Sequence, residues 1–353
     1  MQFSTGSSSS ALRRLFSLYF AATGPRASLP ERPAAGEEMS NEELVLMDDG
    51  EAPGPLSRSN WVGSDADIHD MLWLVKSHRI AKGTRCRPPG RDVQPNLKPG
   101  ELVVFLSHFE RGFGLPLSDF GVEFFEHFDL QPHYLTANAV LILSCFVTFC
   151  EAYLGLWPSL ELFHLFFQFR KQTYPAPGVP AADNITTEVG GCTIMPRSGS
   201  DFPKIPVLES AKMWNKTFFY IESAPDAGDQ IGLPPFIMGP PTTMSNWKTK
   251  NKRPGAEVKP VLERLKDLLA MGLTADHLIA TFLDRRVSPL QKRPHKICHM
   301  SGRFDPCRHS TILLSKEEVH LRAKAISQTL LQDNWAFVAE PYSRDRPPPQ
   351  VFL

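Results

Sequence analysis

The segment that decides the fold is "LTANAVLILSCFVTFCEAYLGL", residues 135–156, the most apolar stretch of a chain whose mean hydropathy is −0.21. Thr136 predicts the start of a helix, because its hydroxyl oxygen can accept a hydrogen bond from a backbone N–H of the first turn. Gly155 predicts the end, because glycine adopts a left-handed backbone without strain. The low-polarity part between them, residues 139–150, is twelve residues long, whereas a membrane span needs about twenty. We therefore interpret the segment as the buried core helix of a domain.

The flanking sequence supplies aromatic side chains to cover this helix. Phe120, Phe124 and Phe128 recur every four residues and so share one helical stripe. Thirteen of the 24 phenylalanines lie between residues 100 and 170. Since each buried Phe contributes roughly 1.5–3 kcal/mol, we expect this region to be the most stable part of the protein.

Other helices are predicted on both sides of this region. "WPSLELFHLFFQF" (157–169) predicts a helix with Pro158 near its first turn. Its expected inward residues are Leu162, Phe163, Phe166 and Phe167. We expect Pro132 to end the helix that carries the Phe120 stripe. Ser64 is the predicted cap of an earlier helix, whose apolar residues include Ile68 and Met71.

Three short stretches predict strands. "ELVVFL" (101–106) follows the turn signal Pro99-Gly100, and "VGGCTIMPR" (189–197) and "TFFYIES" (217–223) combine good β-propensity with flanking loops. The last two are expected to form a hairpin or small sheet, with Pro196 at a strand edge or end. The predicted fold class is α+β, mainly α, with a Phe-rich helical core, a small β element and a C-terminal helical hairpin module.

Charge is unevenly distributed although Lys plus Arg and Asp plus Glu are both 38. Residues 37–51 contain seven acids and no base, whereas residues 245–300 contain twelve bases and five acids. Residues 1–35 are Ser-rich, and they predict a disordered leader, with an organelle transit peptide as the alternative. The six irregularly spaced cysteines indicate a reducing compartment without a disulfide framework.

Several stretches resemble, in order, a plant family of gypsy-type transposon domains, also named gypsy-type transposases. They are "VVFLSHFERGFGLPL" (103–117), "LQPHYLTANAVLILSCFVTFCEAYLGLWPSLELF" (130–163), "VGGCTIMPR" (189–197), "MWNKTFFYI" (213–221) and "GLTADHLIATFLDRRVSPLQKR" (272–293). The resemblance runs from about residue 60 to 310. It implies a transposable-element-derived protein, but no catalytic residue is carried across.

We interpret the family motif residues as structural. They are Phe109, Glu110, Arg111, Gly112, Phe113, Gly114, Glu151 and Gly155. In "FERGFGLP" the two glycines predict a tight backbone turn. Arg111 is expected to pair with Glu110 or Asp119. A partner-binding loop is the alternative interpretation of this motif.

The chain shows no recognisable catalytic pattern. A transposase or integrase gathers three carboxylates around two metal ions. The candidates are Asp119, Glu123, Glu126, Asp129 and Glu151. All five are expected on helices beside the Phe core. Acidic residues of such helices usually lie on the solvent-exposed face, which explains their presence without a metal site. Protease, phosphate-loop and zinc-knuckle motifs are absent from the sequence. A cofactor or metal is therefore not predicted.

One cluster has zinc-ligand residue types without zinc-site spacing. It comprises His295, Cys298, His299, Cys307 and His309. Thiolate and imidazole ligands suit tetrahedral zinc, but no tight Cys-x2-Cys pair is present. We interpret these residues as parts of a surface loop.

The basic region follows the Pro-rich middle of the chain. Two amphipathic helices separated by Gly272 predict a helical hairpin with a basic edge. Asp276 and Asp284 argue against a helix-turn-helix reader, because phosphates would repel them. The residues available for phosphate contact are Lys248, Lys250, Lys252, Arg253, Arg285, Arg286, Lys292, Arg293 and Lys296. Nonspecific nucleic-acid binding requires little more than such a cluster.

The predicted organisation is a sequence of five regions. They are a disordered leader with an acidic arm (1–59), the transposon domain (60–240), a basic Pro/Lys linker (241–256), a helical module (257–332) and a disordered tail (333–353). In the module, Ser315 and Glu318 predict a capping box.

The predicted function is non-catalytic protein interaction or assembly, either with an unknown partner or by self-association, away from membranes. Nucleic-acid binding through residues 248–296 is the alternative function. A transposase-type or integrase-type enzyme is a more remote alternative. Nucleus or cytoplasm is the expected location, and "KTKNKRP" (248–254) is a weak match to a nuclear import signal.

Overall fold

The computed structural model describes residues 45–46, 60–76, 80, 83–115, 117–174, 185–205, 209–222, 232–248, 258–282 and 315–331. These residues form a mainly helical α+β fold, which confirms the predicted class. Its α-helices are α1 (Ile68–Lys76), α2 (Leu106–Glu110), α3 (Asp119–Phe128), α4 (Ala137–Thr148), α5 (Leu160–Phe166), α6 (Val258–Ala270), α7 (Ala275–Phe282) and α8 (Lys316–Leu331). Its strands are β1 (Val45–Leu46), β2 (Arg85–Arg87), β3 (Glu101–Phe105), β4 (Phe167–Lys171), β5 (Thr173–Tyr174), β6 (Ile185–Thr186), β7 (Cys192–Pro196) and β8 (Phe218–Glu222).

The helix predicted from the opening segment forms at the expected limits. Thr136 Oγ1 accepts a hydrogen bond from the Ala139 N–H at 3.2 Å, and Gly155 has a left-handed φ of 70°. Between these limits α4 continues as a π-helical turn over Phe149–Leu154, so the helix is longer than the twelve-residue low-polarity part on which the length argument against a membrane span rested. Ala137–Leu154 is thus the one helix, among the described residues, with the length and composition of a membrane span. Since 89 % of it is buried inside the protein, it has the environment of a core helix.

Phenylalanine rings surround α4, as the sequence predicts. Phe124 is fully buried, and its ring centroid lies 5.1 Å from that of Phe128 and 5.2 Å from that of Phe163. Phe146 of α4 lies 5.7 Å from Phe163 and 6.1 Å from Phe120. Most of these pairs meet edge to face or tilted, the arrangement that aromatic quadrupoles favour.

Three predicted helix boundaries were wrong. The cap of α1 is Asp67, whose carboxylate accepts from the Asp70 N–H, while the Ser64 hydroxyl donates to the Phe218 carbonyl. Helix α3 ends at Phe128 through Asp129, which has φ of 51°, before Pro132 is reached. Helix α5 ends at Phe166, and the chain continues directly as β4.

The strands form two principal sheets, and the two strands predicted to form a hairpin or small sheet together lie in different ones. One has the order β1-β2-β8-β3, with β3 and β8 antiparallel over Glu101–Phe105 and Phe218–Glu222. In the other, β4 pairs with β7 antiparallel, and β5 and β6 form a separate short antiparallel pair. The two predicted strands therefore do not pair with each other. Pro196 lies at the end of β7, where its missing N–H is tolerated, as expected.

The C-terminal helices share the core with the aromatic helices. Leu265 and Leu268 of α6, Leu278 of α7 and Val319 of α8 are completely buried in the cluster that also contains Phe124. The Tyr153 hydroxyl lies 2.8 Å from Thr281 Oγ1. Ser315 and Glu318 form the predicted capping box, each accepting from the other's backbone N–H. The domain boundary at 241–256 stays a prediction, as do the disordered leader and tail, which lie almost wholly outside the described residues.

Candidate functional site

The "FERGFGLP" motif forms the end of α2 and the turn after it. Gly112 has φ of 97°, so the predicted tight turn is confirmed there, whereas Gly114 is not among the glycines with positive φ. A β-carbon at Gly112 would lie 2.4 Å from Ser144 Oγ and 2.9 Å from the Phe282 ring. The turn therefore carries glycine because α4 and α7 both press against it.

Arg111 holds the same turn by polar contacts. Its Nη1 donates to the Ser107 carbonyl at 2.8 Å and lies 3.2 Å from Glu110 Oε2. The Ser144 hydroxyl donates to the Arg111 carbonyl at 2.6 Å. Burial lowers the pKa of Arg111, and the Glu110 carboxylate opposes that shift. The predicted ion pair with Glu110 is present, which supports a structural role for this motif.

A second conspicuous group is a pair of buried histidines among aromatic rings. His108 stacks on Trp214 with ring centroids 5.2 Å apart, and its Nε2 lies 3.1 Å from the Leu135 carbonyl oxygen. His133 lies 5.6 Å from the Trp61 ring and 4.9 Å from the Phe236 ring. Burial lowers the pKa of each histidine to about 3. Both are therefore neutral near pH 7, and they fill apolar space instead of presenting a charge.

The third group is an ion pair buried in the four-stranded sheet. Arg87 Nε and Nη2 bind the two oxygens of Glu101 at 2.7 and 2.8 Å, and both side chains are 1 % exposed. The guanidinium lies 3.9 Å from the centre of the Tyr220 ring, whose hydroxyl donates to Asp92 at 2.6 Å. Lys98 N–H completes the carboxylate's hydrogen bonds. A buried ion pair whose polar atoms are hydrogen-bonded holds the local structure in one arrangement. Removing one partner would leave the charge of the other buried and unpaired.

The carboxylates considered for metal catalysis do not gather in the described part of the fold. There, no group of three or more His, Cys, Asp or Glu side chains is placed to hold a metal ion. Glu123, Glu126 and Asp129 are exposed, whereas Glu151 is buried in the π-helical turn. The histidine and cysteine cluster at 295–309 lies outside the described residues. The four described cysteines, Cys86, Cys145, Cys150 and Cys192, are free and buried.

Only the first residue of the predicted basic surface is described. Lys248 is exposed and ends a 3₁₀ turn, Ser245–Lys248. Lys250, Lys252, Arg253, Arg285, Arg286, Lys292, Arg293 and Lys296 lie outside the described residues. Trp247 fixes the turn, because its ring is 1 % exposed and its Nε1–H donates to the Phe128 carbonyl at 3.0 Å.

The structure also places two basic residues that the sequence analysis missed. Arg170 and Lys171 are exposed on β4, and the Trp247 ring lies 5.5 Å from the Phe169 ring of the same strand. The start of the basic segment is thus held against a strand that carries two more cations. The adjacent pair "RK" was visible in the sequence, but its proximity to Trp247 depends on the tertiary fold.

A second missed feature is the exposed apolar pair Ile237–Met238. Ile237 is 63 % exposed and Met238 is 45 % exposed. Their loop is nevertheless held in place, because the Ile237 N–H donates to Gln131 Oε1 at 2.9 Å and Phe236 packs against His133. Farther along, Pro241 lies against Gly191, where a β-carbon would come within 2.4 Å of the proline ring. The sequence signal for this feature was an apolar pair between proline pairs, in "PPFIMGPP" (234–241).

Comparison with known proteins gave one result. Residues 103–171 match the family model described as "Putative gypsy type transposon", and no curated protein and no solved structure matches the chain. The matched segment covers the "FERGFGLP" turn, the aromatic helices α3 and α5, the core helix α4 and strand β4. The more distant motifs of the resemblance, at 189–197, 213–221 and 272–293, lie outside it. The similarity to gypsy-type transposons is therefore located in residues 103–171.

Proposed function

We propose that this transposon-related protein is an assembly module, which binds a second copy of itself through Ile237 and Met238 and catalyses no reaction of its own. The observation that carries the proposal is the exposure of two adjacent large apolar side chains, 63 % and 45 %, on a loop held by buried contacts. Single exposed apolar residues are common, but a contiguous apolar surface indicates an interaction site.

The restraint of the loop makes it suitable for association. Phe236 on one side and Trp247 on the other are anchored in the interior, and the four prolines of "PPFIMGPP" restrict the backbone. Since little further ordering is needed on binding, most of the free energy of apolar burial is available to the complex. In a symmetric dimer the same surface of both copies forms the interface. Ile237 and Met238 of one copy can therefore cover the same two residues of the other copy.

The test compares two double variants of the full chain by sedimentation and light scattering over a range of concentrations. Ile237→Ser/Met238→Ser should raise the dissociation constant of the dimer at least about tenfold, because each lost anchor is worth more than about 1 kcal/mol. Met213→Ser/Leu321→Ser is the matched control, since these side chains are 55 % and 54 % exposed elsewhere. A monomeric wild type, or equal loss in both double variants, would contradict the proposal.

Nucleic-acid binding by residues 248–296 is the second candidate function, and one observation favours it. Trp247 is fixed immediately before the first basic run, and Phe282, which is 2 % exposed, is fixed shortly before the second. The last described residues before each run are therefore held by the core. Replacing Lys250, Lys252 and Arg253 by glutamine should weaken DNA binding and reduce its salt dependence. Unchanged binding would dismiss this candidate.

The absence of catalysis has its own test. A transposase-type activity would produce strand-transfer products with magnesium ions, and the product would disappear when one of the five candidate carboxylates is replaced. We expect no product from the purified chain. A magnesium-dependent product lost in the Glu123→Gln variant would refute the non-catalytic part of the proposal.

A further inference from the structure

A second pair of histidines lies at the surface, between helices α3 and α5. His127 Nε2 and His164 Nε2 are 3.2 Å apart, and their ring planes are inclined by 79°. His127 is exposed, and His164 is partly buried. We propose that these two nitrogens bind a divalent transition-metal ion of the zinc or copper class, with water at the remaining coordination positions.

The separation of the two nitrogens suits a shared metal ion. Zinc binds an imidazole nitrogen at about 2.0–2.1 Å, so two such ligands at the tetrahedral angle lie about 3.3 Å apart. The distance between His127 Nε2 and His164 Nε2 is close to that value. The same distance allows a hydrogen bond between the rings, in which one Nε2 carries a proton. When each ring carries its proton on Nδ1 instead, both Nε2 lone pairs are available to a metal ion.

Both imidazoles rest on the same buried ring. Phe128 is 1 % exposed, and its ring centroid lies 4.8 Å from that of His127 and 5.1 Å from that of His164. Phe128 itself packs against Phe124 and Phe163 in the aromatic core. The two histidines are therefore supported by a side chain that cannot move without disturbing close-packed neighbours. Support of this kind keeps ligands oriented before the metal arrives.

The backbone of each histidine is also held by a side chain from another part of the chain. The Asn246 side-chain amide donates to the His127 carbonyl. Arg197 Nε, just after β7, donates to the His164 carbonyl. Asn246 is itself fixed next to Trp247, which is buried. Since the fold already orders both histidines, metal binding costs little further conformational entropy.

The surrounding charges are compatible with a cation. Burial lowers the pKa of His164 to about 4, with smaller contributions from His127 and Arg197, so the His164 ring is neutral near pH 7. The positive charge of Arg197 opposes a metal ion. An exposed carboxylate one turn before each histidine offsets part of that charge, since residues three or four apart share a helix face. These carboxylates are Glu123 on α3 and Glu161 on α5.

The donor set predicts which ions bind. No group of three or more His, Cys, Asp or Glu side chains is placed around a metal position in the described part of the chain, so the site has two protein ligands. Neutral imidazole suits copper, nickel and zinc, and the affinity of nitrogen sites is highest for copper. Magnesium ions prefer oxygen ligands and should not bind here. Zinc should raise the midpoint of thermal unfolding, because it binds only the folded arrangement.

The experiment uses zinc chloride as the probe and a full-length parent variant without the histidine and cysteine cluster at 295–309. Zinc affinity is measured by competition with a chromophoric chelator, and thermal unfolding is followed by circular dichroism with zinc or magnesium ions. His69→Gln, at an exposed position on α1, is the matched control. The substitutions of the parent variant are His295→Gln, Cys298→Ser, His299→Gln, Cys307→Ser and His309→Gln.

We expect the parent variant to bind zinc and both single variants of the pair to bind it more weakly. His127→Gln and His164→Gln should each lower the affinity about 100-fold, because the second ligand of the chelate is lost. The double variant should bind about as weakly as either single variant, since one histidine alone forms no chelate. His127 is exposed, so its variant decides the question even if His164→Gln unfolds.

Two results would overturn the inference. One is a parent variant whose unfolding and chelator competition do not respond to zinc, which would leave the pair as a hydrogen bond only. The other is a His127→Gln variant with the zinc affinity of the parent, or a loss equal to that in His69→Gln. A zinc-dependent rise in the unfolding midpoint that disappears in His127→Gln, without a response to magnesium, supports the site.

Discussion

At the scale of single residues, Gly112 shows how one family motif position is determined by its surroundings. Its φ of 97° favours glycine, and the space where a side chain would begin is already occupied by Ser144 and Phe282. Gly272 offers a comparison, because it has φ of 98° and no atom within 4 Å of a β-carbon. The two glycines share a backbone conformation and differ in crowding.

Replacing each glycine by alanine should separate these two effects. Gly272→Ala is expected to cost about 1 kcal/mol for the left-handed backbone alone. Gly112→Ala should cost at least about 2 kcal/mol more, because overpacking a core forces neighbours to move. Urea denaturation of both variants measures the difference. Equal losses of unfolding free energy in the two variants would mean that Ser144 and Phe282 move aside from the new β-carbon without an energetic cost.

The buried histidines predict a dependence of stability on pH. The pKa of His108 and that of His133 are each lowered by burial to about 3, whereas in the unfolded chain histidine has a pKa near 6.5. Below pH 6.5 the unfolded state binds protons that the folded state does not. The free energy of unfolding should therefore fall as pH decreases from 6.5 towards 3, by at most about 1.4 kcal/mol per pH unit for each histidine.

Urea denaturation at pH 7, 6, 5 and 4.5 tests this dependence. His133→Phe should reduce the slope by about one proton, since the substituted ring keeps contacts with Trp61 and Phe236 without a titrating group. His69→Gln, at an exposed position, is the control. A His133→Phe variant with the wild-type pH profile would show that His133 remains protonated or solvated in the folded protein.

At the scale of elements, both ends of helix α4 were predicted correctly, whereas the π-helical geometry of its C-terminal part was not predicted. Thr136 and Gly155 are local signals, and they act as expected. The π-helical turn over Phe149–Leu154 has no comparable local signal. Because it keeps the helix continuous past Glu151, the helix spans eighteen residues, 89 % of them buried, whereas the low-polarity part comprises twelve.

The cap of α4 gives a prediction at this scale. Thr136→Ala removes the acceptor for the Ala139 N–H and should lower the free energy of unfolding by about 1 kcal/mol, the usual value for an N-cap. Thr136→Ser keeps the hydroxyl and is the matched control. Thermal and urea unfolding should therefore rank wild type and Thr136→Ser above Thr136→Ala. Equal stability of the alanine and serine variants would show that the hydroxyl does not stabilise the helix.

At the scale of the whole molecule, the described helices from both predicted domains bury one common cluster. Leu265, Leu278 and Val319 lie in the same apolar core as Phe124 and Phe146. Two domains joined only by a linker would have separate cores. The shared core therefore predicts that the helical module and the aromatic region unfold together.

Truncation tests this prediction. A chain of residues 60–256 loses the Thr281 contact of Tyr153 and the Phe282 cover of Gly112, so it should unfold at lower urea concentration and with a broader transition than residues 60–331. The measurement is urea denaturation followed by tryptophan fluorescence, with both chains at equal concentration. Identical midpoints would establish that the predicted boundary separates two independent domains.

The sequence by itself determined the fold class, the position of the core helix and the aromatic stripes that cover it. These features follow from local chemistry, since capping residues and four-residue spacing act within a single helix. It also predicted that Arg111 pairs with Glu110 or Asp119, and Glu110, its neighbour in the chain, is a partner. Only the tertiary structure decided that β4 replaces the end of a helix, that β7 pairs with β4 while β8 pairs with β3, and that Phe169 of β4 lies beside Trp247. The physical reason is that strand pairing and surface charge depend on contacts between residues far apart in sequence, where local periodicity carries no information.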